Sequence, residues 1–189
     1  MKEQNIYQLT GSAVMTALMC VLGPMSIPIG PIPVSLTNFA VLLAVYLLGM
    51  KGGTVSYVIY LLLGAMGLPV FSGFQGGLAK LAGPTGGFLL GFILTALIAG
   101  FVMERFYGHM VITMAGMMAA MLAAYFCCVV WFMIQMQCSV WYALTTCVFP
   151  FVLIDVIKIL AVIGLGKTIR NAMARAELIF DLRNRTRCR

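Results

Sequence analysis

The sequence predicts an all-α integral membrane protein of six transmembrane helices, and three observations carry that prediction. First, 62% of its 189 residues are hydrophobic and only 9% are charged, with a mean hydropathy of +1.06, which is far too apolar for a water-soluble domain. Second, apolar segments stand at about residues 6–23, 36–49, 54–71, 86–103, 110–134 and 140–165, and a bilayer core takes about 20 helical residues to cross. Third, the basic residues are lopsided. In the six-segment reading Lys2, Lys51, Arg105 and the seven from Lys167 to Arg189 fall on one side, and only Lys80 falls on the other. Lys and Arg concentrate in cytoplasmic loops, so both termini are expected there. The chain has room for a single membrane domain, 1–189, with a basic tail from about 167.

The first segment runs from Ile6 to Leu22 into a proline-rich stretch rather than a small-residue cleavage site, so it reads as a retained helix and not a signal peptide. Ala13 and Ala17 give it a small-xxx-small face. The stretch from Pro24 to Pro33 alternates proline with apolar residues. Proline lacks an N–H and fixes φ, so this loop is expected to be neither helix nor ladder strand but a rigid lid or plug. Leu36 to Leu48 is only thirteen residues, short for a crossing, although the preceding proline run could extend its buried path. Were it not to cross, every later orientation would reverse.

After the third segment comes a glycine-dense but apolar loop, Gly67 to Gly87. Non-helical backbone at membrane depth survives only where it lines a cavity or is buried in protein. The loop is therefore expected to be re-entrant or capping, with glycines that let backbone approach a ligand. Gly83, Gly87 and Gly91 recur every four residues into the fourth segment, as small residues do where membrane helices pack closely.

Asp155 and Lys158 are the only charges in the 26 residues from Val140 to Leu165. Each costs about 2.5–3.5 kcal/mol at mid-bilayer, which makes an intramembrane charge a binding or transport hypothesis by default. Three residues apart on a helix, the two share a face. They can neutralise each other as a structural ion pair, or jointly grip a polar ligand.

Several other readings are excluded. Gly164 to Thr168 looks like the end of a phosphate-cradling loop, but the pattern wants a glycine where Ala161 stands and a strand where a membrane helix precedes it. A lone histidine, His109, excludes a bis-histidine haem and argues against a serine–histidine protease. The six cysteines show no C-x-x-C spacing and read, like the fifteen methionines, as packing residues. The basic tail reads as topology and lipid-headgroup contact rather than nucleic-acid binding.

Taken together, Ile27 to Pro33, Ser35-Leu-Thr-Asn38, Gly67-Leu-Pro-Val-Phe71, Gly76-Gly-Leu78, Gly83-Pro-Thr-Gly-Gly87 and Pro150 with Asp155 and Lys158 resemble the BioY family. These are the biotin-specific substrate-binding (S) components of energy-coupling factor (ECF) transporters. The resemblance covers nearly the whole chain and departs from the family pattern at Lys80 and Ile154. It implies a six-helix S-component fold that holds the vitamin near the outer face, under the first loop and the loop after the third helix. It also implies partners: a transmembrane coupling (T) subunit, docked through Ala13 and Ala17, and two cytoplasmic ATPases that alone use ATP. No enzymatic activity and no cofactor of its own are implied. Movement of the whole subunit relative to the coupling partner would give alternating access.

Biotin suits the residues. Its ureido ring has two N–H donors and one carbonyl acceptor, its bicycle is apolar, and its tail ends in a carboxylate. Asp155 could accept from the ureido nitrogens, while Lys158 could donate to the ureido oxygen or keep the aspartate ionised. Asn38 with Ser72 or Gln75 would add neutral hydrogen bonds, Gly76 and Gly77 backbone contacts, and Lys80 either a carboxylate contact or only a solvent-facing charge. The pocket wall is expected to be apolar and aromatic. Two alternatives stand beside this reading: solitary biotin transport without ATPases, and a membrane scaffold subunit in which the ion pair binds nothing.

Overall fold

The computed structural model describes residues 2–28, 32–106 and 109–175. The tip of the first loop, most of the basic tail and Cys188 lie outside the described residues. Within them the chain forms α1 (Lys2–Leu22), β1 (Ser26–Ile27), β2 (Val34–Ser35), α2 (Thr37–Ala65), α3 (Leu78–Ala82), α4 (Gly86–Arg105), α5 (Met110–Met136), α6 (Val140–Cys147) and α7 (Phe149–Arg175).

α2 is a single helix in name only. Gly49 has φ +78° and ψ −175°, a conformation open to glycine at little cost. A Cβ placed on Gly53 would stand 2.7 Å from Cα of Val45, whereas eight residues of continuous helix would separate the two by about 12 Å. The limbs 37–48 and 50–65 therefore lie side by side and antiparallel. They correspond to the second and third apolar segments, but the second limb stops at Ala65 instead of running to 71.

Hydroxyl bonds and missing side chains fix the neighbours, as they do where membrane helices approach closely. Ser12 Oγ donates to the Gly52 carbonyl at 3.4 Å and Thr16 Oγ1 to that of Ser56 at 3.0 Å, so α1 runs parallel to the second limb. Tyr57 donates to the Leu89 carbonyl at 2.6 Å, and Gly100 admits the backbone of Met50, so α4 runs antiparallel to that limb. Gly87 and Gly91 let α4 press on Cys128 and Ala124 of α5. α7 runs parallel to the first limb, with Asn38 beside Asp155 and the Tyr46 ring against Gly166. It follows that α4 and α7 point the same way.

Two expectations need correction. The first loop does contain ladder strands: Ser26 pairs with Ser35 and Ile27 with Val34, antiparallel. The pairing uses non-proline residues on either side of the proline run, so the missing proline donors do not obstruct it. The last apolar stretch is not one helix either. It breaks at Val148 into α6 and α7, two residues before Pro150, which removes a helical donor and crowds the preceding turn. Gly164 to Thr168 lies inside α7, where Thr168 bonds back to the Gly164 carbonyl.

By length and composition Thr37–Ala65, Gly86–Arg105, Val111–Met136 and Val140–Met173 can cross a membrane, and Gln8–Leu22 is a shorter apolar helix. Leu9, Leu122, Phe126 and Leu153 stand exposed on the outer faces, a surface that hydrocarbon rather than water would solvate. The chain is a multi-pass membrane protein.

Candidate ligand-binding site

One cavity opens beneath the β1–β2 hairpin, between the first limb of α2, the start of α4 and the start of α7. Ile32, Pro33, Ser35, Thr37, Asn38, Ser72, Thr85, Phe88, Leu89, Phe92, Phe151, Asp155 and Lys158 line it. Its space, open mouth included, is about 500 Å³.

The floor is polar and built across three helices. Lys158 Nζ lies 3.2 Å from Asp155 Oδ1 and donates to the Ser35 carbonyl at 2.8 Å, tying the hairpin's second strand to α7. Asn38 Nδ2 donates to the same Oδ1 at 3.1 Å, and the Tyr125 hydroxyl of α5 donates to Oδ2 at 2.5 Å. Asp155 and Lys158 are 4% and 8% exposed, so neither charge can fall back on water. Burial of this kind is tolerated only with such pairing.

The bonding is incomplete in an informative way. The Asn38 amide must turn its NH2 toward the carboxylate, and its Oδ1 is then buried without a partner; Thr85 Oγ1 is in the same position. Lys158 has used two of its three protons. The cavity floor thus offers an unused acceptor on Asn38, a spare ammonium proton, and lone pairs on a fixed carboxylate. The wall offers aromatic surface. Phe88 sits 5.4 Å from Phe151, 5.8 Å from Phe92 and 6.1 Å from Tyr125, ring centre to ring centre. A small molecule with an apolar ring system carrying adjacent N–H and C=O groups complements both.

Asp155, Lys158, Asn38 and Ser72 therefore meet at one cavity. Gln75, Gly76, Gly77 and Lys80 do not, and the reason is the course of the glycine-rich loop. Among residues 67–80 only Val70 and Phe71 are buried, the Phe71 ring resting on α2 where Gly64 has no side chain. The Phe71 amide bonds the Gln75 carbonyl, leaving Gln75 exposed on a tight turn. Gly76 lies under the Leu68 carbonyl, and the Gly77 amide bonds Gly64. Lys80 sits half-exposed on α3, its ammonium pKa lowered by partial burial.

Sequence reasoning missed Tyr125, Thr85 and the named aromatic residues. A tyrosine among 27 residues of apolar helix carries no local mark of its partner, which lies 30 residues away. Thr85 was visible only as part of a glycine-rich motif. Ala13 and Ala17 are exposed on the outer face of α1.

A model of the BioY family matches residues 1–175. The biotin transporter BioY of Thermotoga maritima is 51% identical over 98 residues, 52% of this chain and 58% of that protein. The probable biotin transporter BioY of Pyrococcus horikoshii is 48% identical over 47% of this chain and 54% of its own length. The matched stretch thus spans little more than half of either relative. The biotin transporter BioY2 of Lactococcus lactis subsp. cremoris aligns over 95% of this chain and 99% of itself at 31% identity. The crystal structure of the S-component for biotin from an ECF-type ABC transporter superposes with a TM-score of 0.84 at 28% identity, covering 90% of this chain and 94% of that one. These relatives are transporters rather than enzymes, and the chain belongs to the BioY family.

Proposed function

We propose that the protein is the biotin-binding S component of an ECF-type importer, capturing biotin in the cavity under the β1–β2 hairpin. The observation that carries the reading is the set of partly satisfied polar groups on the cavity floor. Asp155 and Asn38 Oδ1 accept from the two ureido N–H groups, and the third proton of Lys158 goes to the ureido carbonyl. Ser72 lines the same space and adds a hydroxyl. The bicycle packs on Phe88, Phe92 and Phe151. A scaffold role for the ion pair leaves the orphaned Asn38 oxygen unexplained, since a buried acceptor without a partner costs about 1–3 kcal/mol.

The topology supports six crossings: α1, the two limbs of α2, α4, α5, and α6 with α7. With Lys51, Arg105 and Lys167 on one side, that side and both termini face the cytoplasm, and the cavity opens outward. A T subunit, docked on the exposed Ala13–Ala17 face of α1, and two cytoplasmic ATPases supply the energy.

Equilibrium binding of biotin to the detergent-purified protein tests the reading. Saturable binding that Asp155→Asn and Lys158→Ala both abolish is expected. No saturable binding, or unchanged affinity in both variants, would discard it.

A further inference from the structure

The last apolar stretch is longer than one crossing needs. Val140–Met173 is 34 residues, about 51 Å if straight, against a hydrocarbon core of about 30 Å. The placement of charge shows which part does the crossing. Phe88 of α4 and Phe151 of α7 stand level, their rings 5.4 Å apart on helices that run the same way. Two residues before each, at Gly86 and Phe149, the helices begin. Sixteen residues beyond each stand the charges of Glu104 and Lys167. Eighteen helical steps are about 27 Å, so Phe149 to Lys167 already fills the core. α6 is left outside it.

The neighbours of α6 agree. α5 runs opposite to α4, Gly87 meeting Cys128 and Gly91 meeting Ala124. Tyr125 of α5 reaches Asp155, so the two share a depth. Phe132, seven residues further on, lies about 10 Å nearer the cavity end of the bundle, level with Phe149 or beyond it. The Tyr142 ring of α6 packs 6.4 Å from the Phe132 ring, and the exposed side chains of Gln135, Gln137 and Ser139 surround that end. From the geometry we infer that α6 rests in the headgroup layer of the bilayer and that its exposed aromatic face is the protein's anchor there, with α7 alone crossing the hydrocarbon.

The chemistry of the face fits that partner. Trp141 is 70% exposed, Phe149 62% and Tyr142 50%, and the indole of Trp141 meets the Phe149 ring edge-on at 6.4 Å. Tryptophan and tyrosine concentrate at membrane interfaces because an apolar ring and a polar tip are both solvated there. The face continues the exposed stripe of Leu153, Ile157 and Leu160 on α7, which hydrocarbon covers. No Asp, Glu, Lys or Arg stands between Arg105 and Asp155, so this end of α5 and α6 has no charge with which to select an acidic or basic partner. A net-neutral headgroup layer needs none. Thr145 donates to the carbonyls of Trp141 and Tyr142, so its exposed hydroxyl does not depend on bulk water. The other face of α6 buries Ala143 and Cys147 in the bundle, and the break at Val148 leads straight to Phe151 in the cavity wall. The anchor therefore sets the depth of the site. Asp155, six residues past Phe149, lies about 9 Å inside the hydrocarbon edge.

Depth-resolved quenching of tryptophan emission tests this whatever the cavity binds. The chain has two tryptophans, Trp131 and Trp141, so the emission of the wild type less that of Trp141→Phe isolates Trp141; Trp141→Tyr serves as the blank where the phenylalanine variant does not fold. In phosphatidylcholine vesicles that signal is expected to lose more intensity to lipid brominated near the glycerol end of its chains than to lipid brominated near the methyl end. It should lose little to iodide present on both sides of the bilayer. Leu153→Trp in the Trp141→Phe background places the probe about 6 Å beyond Phe149 along α7, and its quenching should shift toward the deep bromine. Greater loss of the Trp141 signal to deep bromine would mean that α6 crosses with α7. Strong iodide quenching with no response to bromine would mean that the face meets water, and a signal reached by neither quencher would mean that protein covers it. Each of these three results, or a Leu153→Trp probe no deeper than Trp141, overturns the anchor.

Discussion

Two of the charged sites that tie helices together among the described residues differ in what they leave unused. At the end of α4 away from the cavity Glu104 accepts from the Met50 amide at 2.9 Å, capping the second limb of α2 where the chain reverses at Gly49. One carboxylate oxygen meets one orphan helix donor, as a cap does. Under the hairpin, Asp155 gathers Lys158, Asn38 and Tyr125 from three helices, yet Asn38 Oδ1 beside it remains unpartnered. A structural charge closes its own account. A ligand site stays open on one side, because its last hydrogen bonds belong to the guest.

The sharpest way to break this contrast is Asp155→Asn. Removing one member of a buried ion pair leaves the other uncompensated, at a cost of about 3–5 kcal/mol. Biotin affinity is expected to fall at least about 100-fold, which is some 2.7 kcal/mol, and the thermal midpoint of the detergent-solubilised protein to fall with it. A stable variant with intact binding would reduce Asp155 to the status of Glu104.

Tyr125→Phe separates positioning from contact. The phenol does not line the cavity, but it holds Oδ2 of Asp155. Loss of a hydrogen bond to a charged acceptor is worth about 1.5–3 kcal/mol, so affinity should fall roughly tenfold. Unchanged affinity would mean that the tyrosine only fills space.

Gly49→Ala probes the other site. An L-residue at φ +78° and ψ −175°, a region essentially reserved for glycine, costs about 1–3 kcal/mol, and the new Cβ would stand 2.8 Å from Glu104 Oε1. The thermal midpoint should drop by several degrees with biotin affinity unchanged once the protein is folded. A large affinity loss would show that the limb reversal and the cavity are mechanically coupled.

The two regions were also unequally legible in the sequence. Asp155 and Lys158 stood out because a charge in an apolar run has no cheap local explanation, and their spacing alone put them on one face. Asn38, 117 residues from Asp155, could be reached only through family resemblance, since one amide near a short apolar segment has no unusual local chemistry. Tyr125 could not be reached at all. Gly76 and Gly77 read as site residues because glycine-rich backbone suits close ligand approach as well as tight turns, Gln75 because its amide can hydrogen-bond a ligand, and Lys80 because its charge suits a carboxylate as well as solvent. The structure places the first three on a turn beside α2 and Lys80 on α3, all outside the cavity lining. Pro150 was noted, but its effect on the last helix was not. Hydropathy averages over a break that removes no apolar residue, so α6 and α7 read as one span. The reversal at Gly49 was legible as two segments but not as a hairpin, because the +78° torsion lies in a glycine that looks like any other.

The smallest effect belongs to Glu104→Gln. The amide oxygen of glutamine can still accept from the Met50 N–H, so only the charge's share of the cap is lost, about 0.3–1 kcal/mol at a helix N-terminus. Stability should fall by no more than that, and biotin affinity should not move. Replacing the same oxygen pair at Asp155 leaves Lys158 stranded, so the two isosteric changes, carboxylate to amide, are predicted to differ by several kcal/mol. If thermal scans and binding isotherms gave them similar costs, burial and leftover hydrogen-bonding capacity would not distinguish a ligand site from a cap in this fold. The assignment of the cavity would then have to rest on ligand binding alone.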